Sequence, residues 1–518
     1  MFVLASLPWP HTSTLSALAA LLLGVVASRL LLTTISRRRF SAQHHCGAPR
    51  SRYPHRDPFG VDFVRAQVKA LREKRLLDQI HDNHVRLGTT FTARAFTQPF
   101  VATTDPENIK TVLATRFKDY AIGSVRAPRL SALLGKGIFV TDGEAWSHSR
   151  AMLRPNFAKD QVTDLEMVNR HIEHLISAVP VGATVDLQDL FARFTLDSST
   201  EFLFGHSTGS QLGGEFASSE FSDNLSFAFQ EIALELRMGA LSHFRSFADK
   251  RRRDKAYQSC RSYVAGFVDK ALAMRNSPDQ KDASRSYFLK ELAYSTQDPE
   301  GITDALLNLL FAGRDTTASL LSSLFLVLAR RPDMWEKLCD EVSCLNGRPP
   351  TYDELRGLKY AKNCLQETLR LWPPVPTNVR IAIRDTVLPR GGGTLGTEPI
   401  LVPKGYAIQY NVYSMHRRPD LFGPDPGEFR PERWEQSPPR PWEFLPFNGG
   451  PRICLGQQYA LTEATLVLAR FAQVYSSIEL RDSRPWTESL TLTACHSHGV
   501  HVALQARDKS RGAPLVGA

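Results

Sequence analysis

The sequence predicts a mainly α-helical fold with a minor β part, and three observations predict it. The longest stretch of helical periodicity, residues 302–331, contains no proline and halts at Pro332. Proline lacks the N–H that a helix interior needs, so it marks the stop. Apolar residues also recur at helical spacing over 160–177, 188–204, 218–235, 241–275, 333–345 and 359–371. In contrast, 373–415 is rich in Pro, Gly and β-branched residues, the composition of strands and turns.

Composition sets bounds on function. The 518 residues are 42% hydrophobic and 22% charged, so an ordinary globular core can form. A net charge of +10 suits an acidic protein, an anionic membrane or nucleic acid without choosing among them. Seven scattered cysteines with no CxxC pair speak against a secreted disulfide scaffold and against a structural zinc cluster.

Taken in order, residues 1–14 read as a short lumenal N-terminus. Residues 15–35 are almost wholly apolar, with Arg29 the only charge, and about 20 apolar residues cross a bilayer. Arg37, Arg38 and Arg39 follow, and no basic residue precedes Arg29. The positive-inside rule then leaves the body cytosolic. The run lacks the basic start of a cleaved signal, so a retained single-pass anchor is expected. Residues 36–60 read as a basic, Pro-rich linker, 61–506 as one catalytic body and 507–518 as a disordered tail. Within the body, 61–86 reads as helix, with His81 and His84 on a solvated face. Residues 89–104 read as strands with Pro99 at a turn. Asp105-Pro106-Glu107 reads as a helix start, and 143–153 as a helix stopped by Pro155. Lys250-Arg251-Arg252-Arg253 reads as a solvated charge run. A last helix is expected over 455–474 and closing strands over 477–506.

The chemistry concentrates in Phe447-Asn448-Gly449-Gly450-Pro451-Arg452-Ile453-Cys454-Leu455-Gly456. A metal-bound thiolate needs a backbone that carries sulfur to the metal and donates hydrogen bonds to it. Gly450 and Gly456 permit turns and close approach. Arg452 can pair with a carboxylate, and Phe447 can shield the sulfur. A helix beginning just after Cys454 points its positive end at the thiolate. This segment resembles the haem-binding signature Phe-x-x-Gly-x-Arg-x-Cys-x-Gly of the cytochrome P-450 family at all five fixed positions. The resemblance implies the cytochrome P-450 fold and haem b, iron protoporphyrin IX, with Cys454 as the axial ligand of its iron.

The same resemblance organises residues that mean little alone. Glu367 and Arg370 share a helix face, and with Arg433 they are expected to form a buried structural network locking the thiolate loop. Trp434 replaces the more usual phenylalanine, a change expected to be harmless. Ala312-Gly313-Arg314-Asp315-Thr316-Thr317 breaks helix consistency with a polar run. The family places this motif over the distal haem face, with Thr316 holding a water and Asp315 relaying protons. Reducing dioxygen to release water consumes two protons, which an acid–alcohol pair can supply. Trp146, Arg150 and Arg380 join Arg452 as expected propionate contacts.

Within the family the chain is most similar to the fungal alkane and fatty-acid ω-hydroxylases. The resemblance is carried by Phe194-Thr195-Leu196-Asp197-Ser198, by 311–318, by Leu388-Pro389-Arg390-Gly391-Gly392-Gly393, and by Cys454-Leu455-Gly456-Gln457-Gln458-Tyr459-Ala460. It implies a monooxygenase that inserts one atom of O2 into an n-alkane or fatty acid. Electrons would come from NADPH through an NADPH-cytochrome reductase. The enzyme would be held in the endoplasmic reticulum membrane with its catalytic domain in the cytosol and no nucleic acid partner. Phe221, Phe227, Phe229 and Leu309 are candidate pocket residues, and Arg237 or Arg245 a candidate carboxylate contact. Two alternatives stand beside this: oxidation of a secondary metabolite or sterol, and a haem-thiolate isomerase or dehydratase acting on a peroxide.

Overall fold

The computed structural model describes residues 12–123, 126–157, 165–213, 219–238, 242, 245–275 and 287–507. The expected lumenal N-terminus therefore lies outside the described residues up to residue 11, and the expected disordered tail from 508 onward.

Helix α1 (Thr12–Gln43) runs beyond the apolar stretch and includes the three arginines. Its part from Ala19 to Gln43 is long and apolar enough to cross a membrane, with a mean hydropathy of 1.8 and none of it buried. The basic half of the expected linker is thus helical. The proline-bearing half is tied down rather than free. Arg50 N donates to Gly391 O, Thr92 N to Ser51 O and Tyr53 N to Thr92 O, and Arg37 pairs with Asp385 at 3.4 Å.

Two amphipathic helices, α2 (Val61–Arg72) and α3 (Leu76–Leu87), lead into the sheet. His84 of α3 is buried against Phe91 and His81 lies edge-on to Tyr413, so these histidines pack inward instead of facing solvent. The main sheet has strand order β1-β2-β8-β5-β3, with β1 Thr90–Ala95, β2 Gln98–Thr103, β3 Tyr120–Ala121, β5 Thr377–Ala382 and β8 Ala407–Asn411. The β1–β2 turn is at Phe96, whose φ is 53°, and Pro99 sits inside β2 opposite Arg94. Pairing of β2 with β8 starts only at Phe100, so the missing N–H of Pro99 costs no ladder bond. Strand β4 (Val185–Asp186) joins β9 (Tyr475–Leu480) and β12 (His501–Ala506). The hairpins are β6–β7 (Thr386–Gly392, Glu398–Val402) and β10–β11 (Glu488–Leu490, Ala494–His496).

The helical part carries the core. Helix α4 (Pro106–Lys110) starts as predicted, with Asp105 accepting from the Glu107 and Asn108 amides. There follow α5 (Ala127–Leu134), α6 (Gly143–Leu153), α7 (Glu166–Ser177), α8 (Leu187–Phe204), α9 (Ser219–Met238), α10 (Phe247–Arg275) and α11 (Tyr287–Ser295). The basic run at the start of α10 is not simply solvated. Arg252 lies 4.3 Å over the Phe227 ring and Arg253 pairs with Glu235.

Helix α12 (Pro299–Arg330) is capped by the Asp298 carboxylate and ends just before Pro332. It is flanked by α13 (Pro332–Ser343), α14 (Tyr352–Gly357) and α15 (Lys359–Leu371). Short helices α16 (Val412–Met415), α17 (Pro419–Phe422) and α18 (Arg433–Gln436) precede α19 (Gln457–Val474). Phe191 of α8, Phe325 of α12 and Phe471 of α19 meet at centroid distances of 5.1 to 6.1 Å. All three are fully buried, each contributing roughly 1.5–3 kcal/mol of apolar burial. This fixes α12 and α19, the two helices that carry the functional segments.

Candidate active site

The cysteine loop is held by its backbone. Gly450 adopts φ 66°, and a Cβ there would lie 1.9 Å from the Leu113 carbonyl oxygen. Only glycine fits both demands. Cys454 N donates to Phe447 O at 3.0 Å, while Phe447 is half-buried and packs against the main hydrophobic core. Gly456 is the N-cap of α19, so the helix begins where the sequence places it, just past the sulfur. Cys454, in the loop before α19, is exposed, in contrast to the buried residues 464–472 of that helix, and borders an open pocket of about 710 Å³ lined also by Arg154, Pro155 and Phe157. Although its surface is open, the protein atoms packed around the sulfur push its thiol up, against the Gly456 backbone and Arg150, which pull it down.

Beside the loop the structure gathers cations. Arg452 donates to Ile138 O, to Thr141 O and, at 2.7 Å, to the Asp142 carboxylate. Its guanidinium lies 4.4 Å from the Trp146 ring, and that of Arg150 5.9 Å from the same ring. Arg380 is buried and donates to Asn378 and to Val379 O. Arg126, which sequence reasoning did not single out, joins them. Burial and Arg380 bring its pKa down to about 10. Arg452 is also brought down to about 10, by burial first, with Arg380, Arg126 and Arg150 adding repulsion and Asp142 opposing. Among the described residues one carboxylate, Asp142, offsets Arg452 and Arg126 and none forms an ion pair with Arg150 or Arg380, and a cluster so unbalanced calls for a bound anion.

The Glu–Arg–Arg network is present as expected. Glu367 and Arg370 are fully buried and joined bidentately at 2.9 and 2.7 Å. Arg370 also donates to the carbonyls of His416, Pro426 and Glu428. Arg433 reaches Glu367 at 3.4 Å and the carbonyls of Phe422 and Asp425. Every donor in this buried cluster meets an acceptor, which such a cluster requires. Trp434 is more than a neutral replacement, because its indole N–H donates to Glu367 at 3.1 Å, a bond that phenylalanine cannot make.

On α12 the burial pattern breaks. Residues 302–310 and 317–326 are buried, whereas 311–316 are half-buried, so a helix otherwise enclosed fronts an open space along this stretch. Thr316 donates back to Ala312 O at 2.8 Å. Asp315 pairs with Arg314 at 3.5 Å, and burial raises its pKa against that pairing. Among the described residues no hydrogen bond joins Asp315 to Thr316. A Cβ on Gly313 would come within 3.1 Å of Ser199 Oγ, so a larger residue here would press on the Ser199 hydroxyl of α8.

The candidate pocket residues divide. Phe229 meets Phe311 edge-on at 5.1 Å, and Phe311 meets Phe139 at 5.6 Å, forming an aromatic wall next to the half-buried stretch. Phe221 stacks on Tyr263 of α10 and Leu309 lies in the same helical core. Arg245 is neutralised by Glu231. Arg237 donates to the carbonyls of Leu490 and Thr491.

A haem-thiolate fold with its site on these elements is the class that the geometry defines, and comparison with known proteins agrees. The cytochrome P450 family profile matches residues 59–499. The cytochrome P450 monooxygenase himC of Aspergillus japonicus is 51% identical, over 95% of this chain and 89% of the relative. The monooxygenase FPY7 of Fusarium mangiferae is 48% identical, over 96% and 97%, and cytochrome P450 52A13 of Debaryomyces hansenii 40% identical, over 93% and 97%. This chain belongs to the cytochrome P450 family and is a haem-thiolate monooxygenase. The exposed sulfur and the cationic cluster fit the family's cofactor, whose two propionates would supply negative charge beside Arg452, Arg150, Arg380 and Arg126.

Proposed function

We propose that this chain is a membrane-anchored hydroxylase of n-alkanes or fatty acids, fed with electrons from NADPH through a reductase at the endoplasmic reticulum membrane. Cys454 would ligate the haem iron in this reading. Trp146, Arg150, Arg380 and Arg452, together with Arg126, would hold the propionates, and Gly450 and Gly456 let the backbone approach. When bound, haem supplies the activation of dioxygen. The chain's own work is to shape the space, exclude water and move protons. Asp315, desolvated, keeps its proton to a higher pH than an ordinary carboxyl, which suits a donor. Thr316 has committed its hydroxyl hydrogen to Ala312 O, so its free lone pairs are placed to accept from a water. Glu367, Arg370 and Arg433 keep the cysteine loop rigid.

The observation that carries the substrate class is the half-buried stretch 311–316 beside the Phe139–Phe311–Phe229 wall: an apolar surface next to a proton-handling pair. The 52A relatives and the segments shared with alkane and fatty-acid ω-hydroxylases support it. The test is reconstitution with a reductase and a lipid panel including dodecane and lauric acid, with products read by mass spectrometry. Hydroxylated products are expected, and NADPH-dependent oxidation of neither class would overturn the reading. A second reading, oxidation of a fungal secondary metabolite or sterol, stands beside it, because the chain is more similar to the monooxygenases himC and FPY7, at 51 and 48% identity, than to 52A13, at 40%.

A further inference from the structure

His416 has no place in the reading above, yet it bridges the Glu367–Arg370 cluster and the segment leading into the cysteine loop. It is fully buried at the end of α16. Its Nε2 accepts from Leu445 N at 3.0 Å. A backbone amide can only donate, so Nε2 carries no proton and the ring hydrogen is on Nδ1. That nitrogen lies 3.2 Å from Arg370 O, a carbonyl that can only accept. Both contacts are satisfied by one neutral tautomer and by no other. The ring is clamped between Phe422 at 5.9 Å and Phe444 at 5.0 Å, and Trp434, bonded to Glu367, packs on Phe444 at 4.5 Å.

The tether continues into the cysteine loop. Leu445 O accepts from Asn448 N, and Phe447 O from Cys454 N. A run of hydrogen bonds therefore leads from the α15 carbonyl of Arg370, through one imidazole, to the amide of the cysteine itself. We propose that His416 is a positioning residue for the Cys454 sulfur, transmitting the rigidity of the Glu367–Arg370–Arg433 cluster to the loop by holding the Leu445 amide. The proposal rests on Cys454 being the iron ligand. Groups bonded directly to a metal ligand change metal-site affinity or activity by about 10- to 100-fold when lost, and His416 reaches the ligand through the backbone of the loop.

Three variants separate the two bonds. His416→Gln places an amide oxygen where Nε2 stood and keeps the acceptor for Leu445. His416→Asn keeps a donor toward Arg370 O and loses that acceptor. His416→Phe keeps the ring packing and loses both. Each is purified with haem and scored by the thiolate-type Soret band of the reduced carbon monoxide complex, per haem bound. Hydrogen exchange of the 445–448 amides is measured on the same samples. Phe and Asn should lose most of the thiolate-type band and exchange these amides at least about 10-fold faster, the scale of such effects, while Gln retains both properties. A wild-type band and wild-type protection in His416→Phe or His416→Asn would overturn the proposal, as would equal loss in Gln and Asn. If Phe does not fold, the Gln–Asn comparison decides alone. Cys454→Ser is run alongside: should it keep its thiolate-type band, the ligand assignment has failed rather than the role of His416.

Discussion

Glu463 permits a sharp test of how burial shapes this structure. It is 3% exposed on α19, and among the described residues its hydrogen-bond partner is Ser198 Oγ of α8, at 2.7 Å. Burial lifts its pKa from 4.5 to about 7, with the serine bond opposing. In the unfolded chain the carboxyl loses its proton near the ordinary value, whereas in the folded chain it keeps it until about pH 7. Between those values the unfolded state binds fewer protons, so stability falls as pH rises and levels off above the folded pKa. The total loss is about 3 kcal/mol, at about 1.4 kcal/mol per tenfold shift. Glu463→Gln keeps an acceptor for Ser198 and has nothing to ionise. Its advantage over wild type should grow from under about 1 kcal/mol near pH 5 to about 3 kcal/mol near pH 8. Denaturant unfolding of both holoproteins across this range measures it. An advantage that stays constant with pH, or one that shrinks toward alkaline pH, would refute the reasoning.

Other predictions concern the site directly. Cys454→Ser should abolish the thiolate-type Soret band and turnover, and a variant that kept its pigment, band and activity would remove the basis of the functional reading. Trp434→Phe should destabilise the protein by about 1.5–3 kcal/mol, the worth of a hydrogen bond to a charged group. An unchanged denaturation midpoint would show the indole bond to be idle. Asp315→Asn should lower product formation per haem by about 100-fold, the scale of a lost acid–base group, while the carbon monoxide spectrum stays normal. Product yield against NADPH consumed in a reductase-coupled assay reads this directly.

The parts of the site that were legible in the sequence share one property: their chemistry is local. The cysteine loop fits within ten residues, Glu367 and Arg370 sit one helical turn apart, and the polar run of α12 interrupts a long apolar helix. Proline and cap residues likewise marked the ends of α4 and α12. What escaped was tertiary. His416 acts on partners 46 and 29 positions away. The indole N–H of Trp434 finds its acceptor 67 residues back, and no periodicity announces either. Arg126 is visible as a functional residue only once the sheet brings Arg380 near it. Pro99 misled because a proline inside a strand is tolerable where the neighbouring strand has not yet begun to pair, which depends on a residue some 300 positions downstream. Arg245 and the basic run of α10 misled for the opposite reason, since long cationic side chains turned inward to carboxylates on α9.

The stitching of residues 46–57 to the sheet bears on how the enzyme can be shortened. Strand β1 lies at the margin of the main sheet, and Ser51 and Tyr53 occupy its otherwise bare side. Cutting the chain at residue 61 would strip that cover and leave an open strand ready to recruit a neighbouring molecule. A truncation placed after the apolar stretch, near residue 36, removes the greasy helix and keeps the sheet's border sealed.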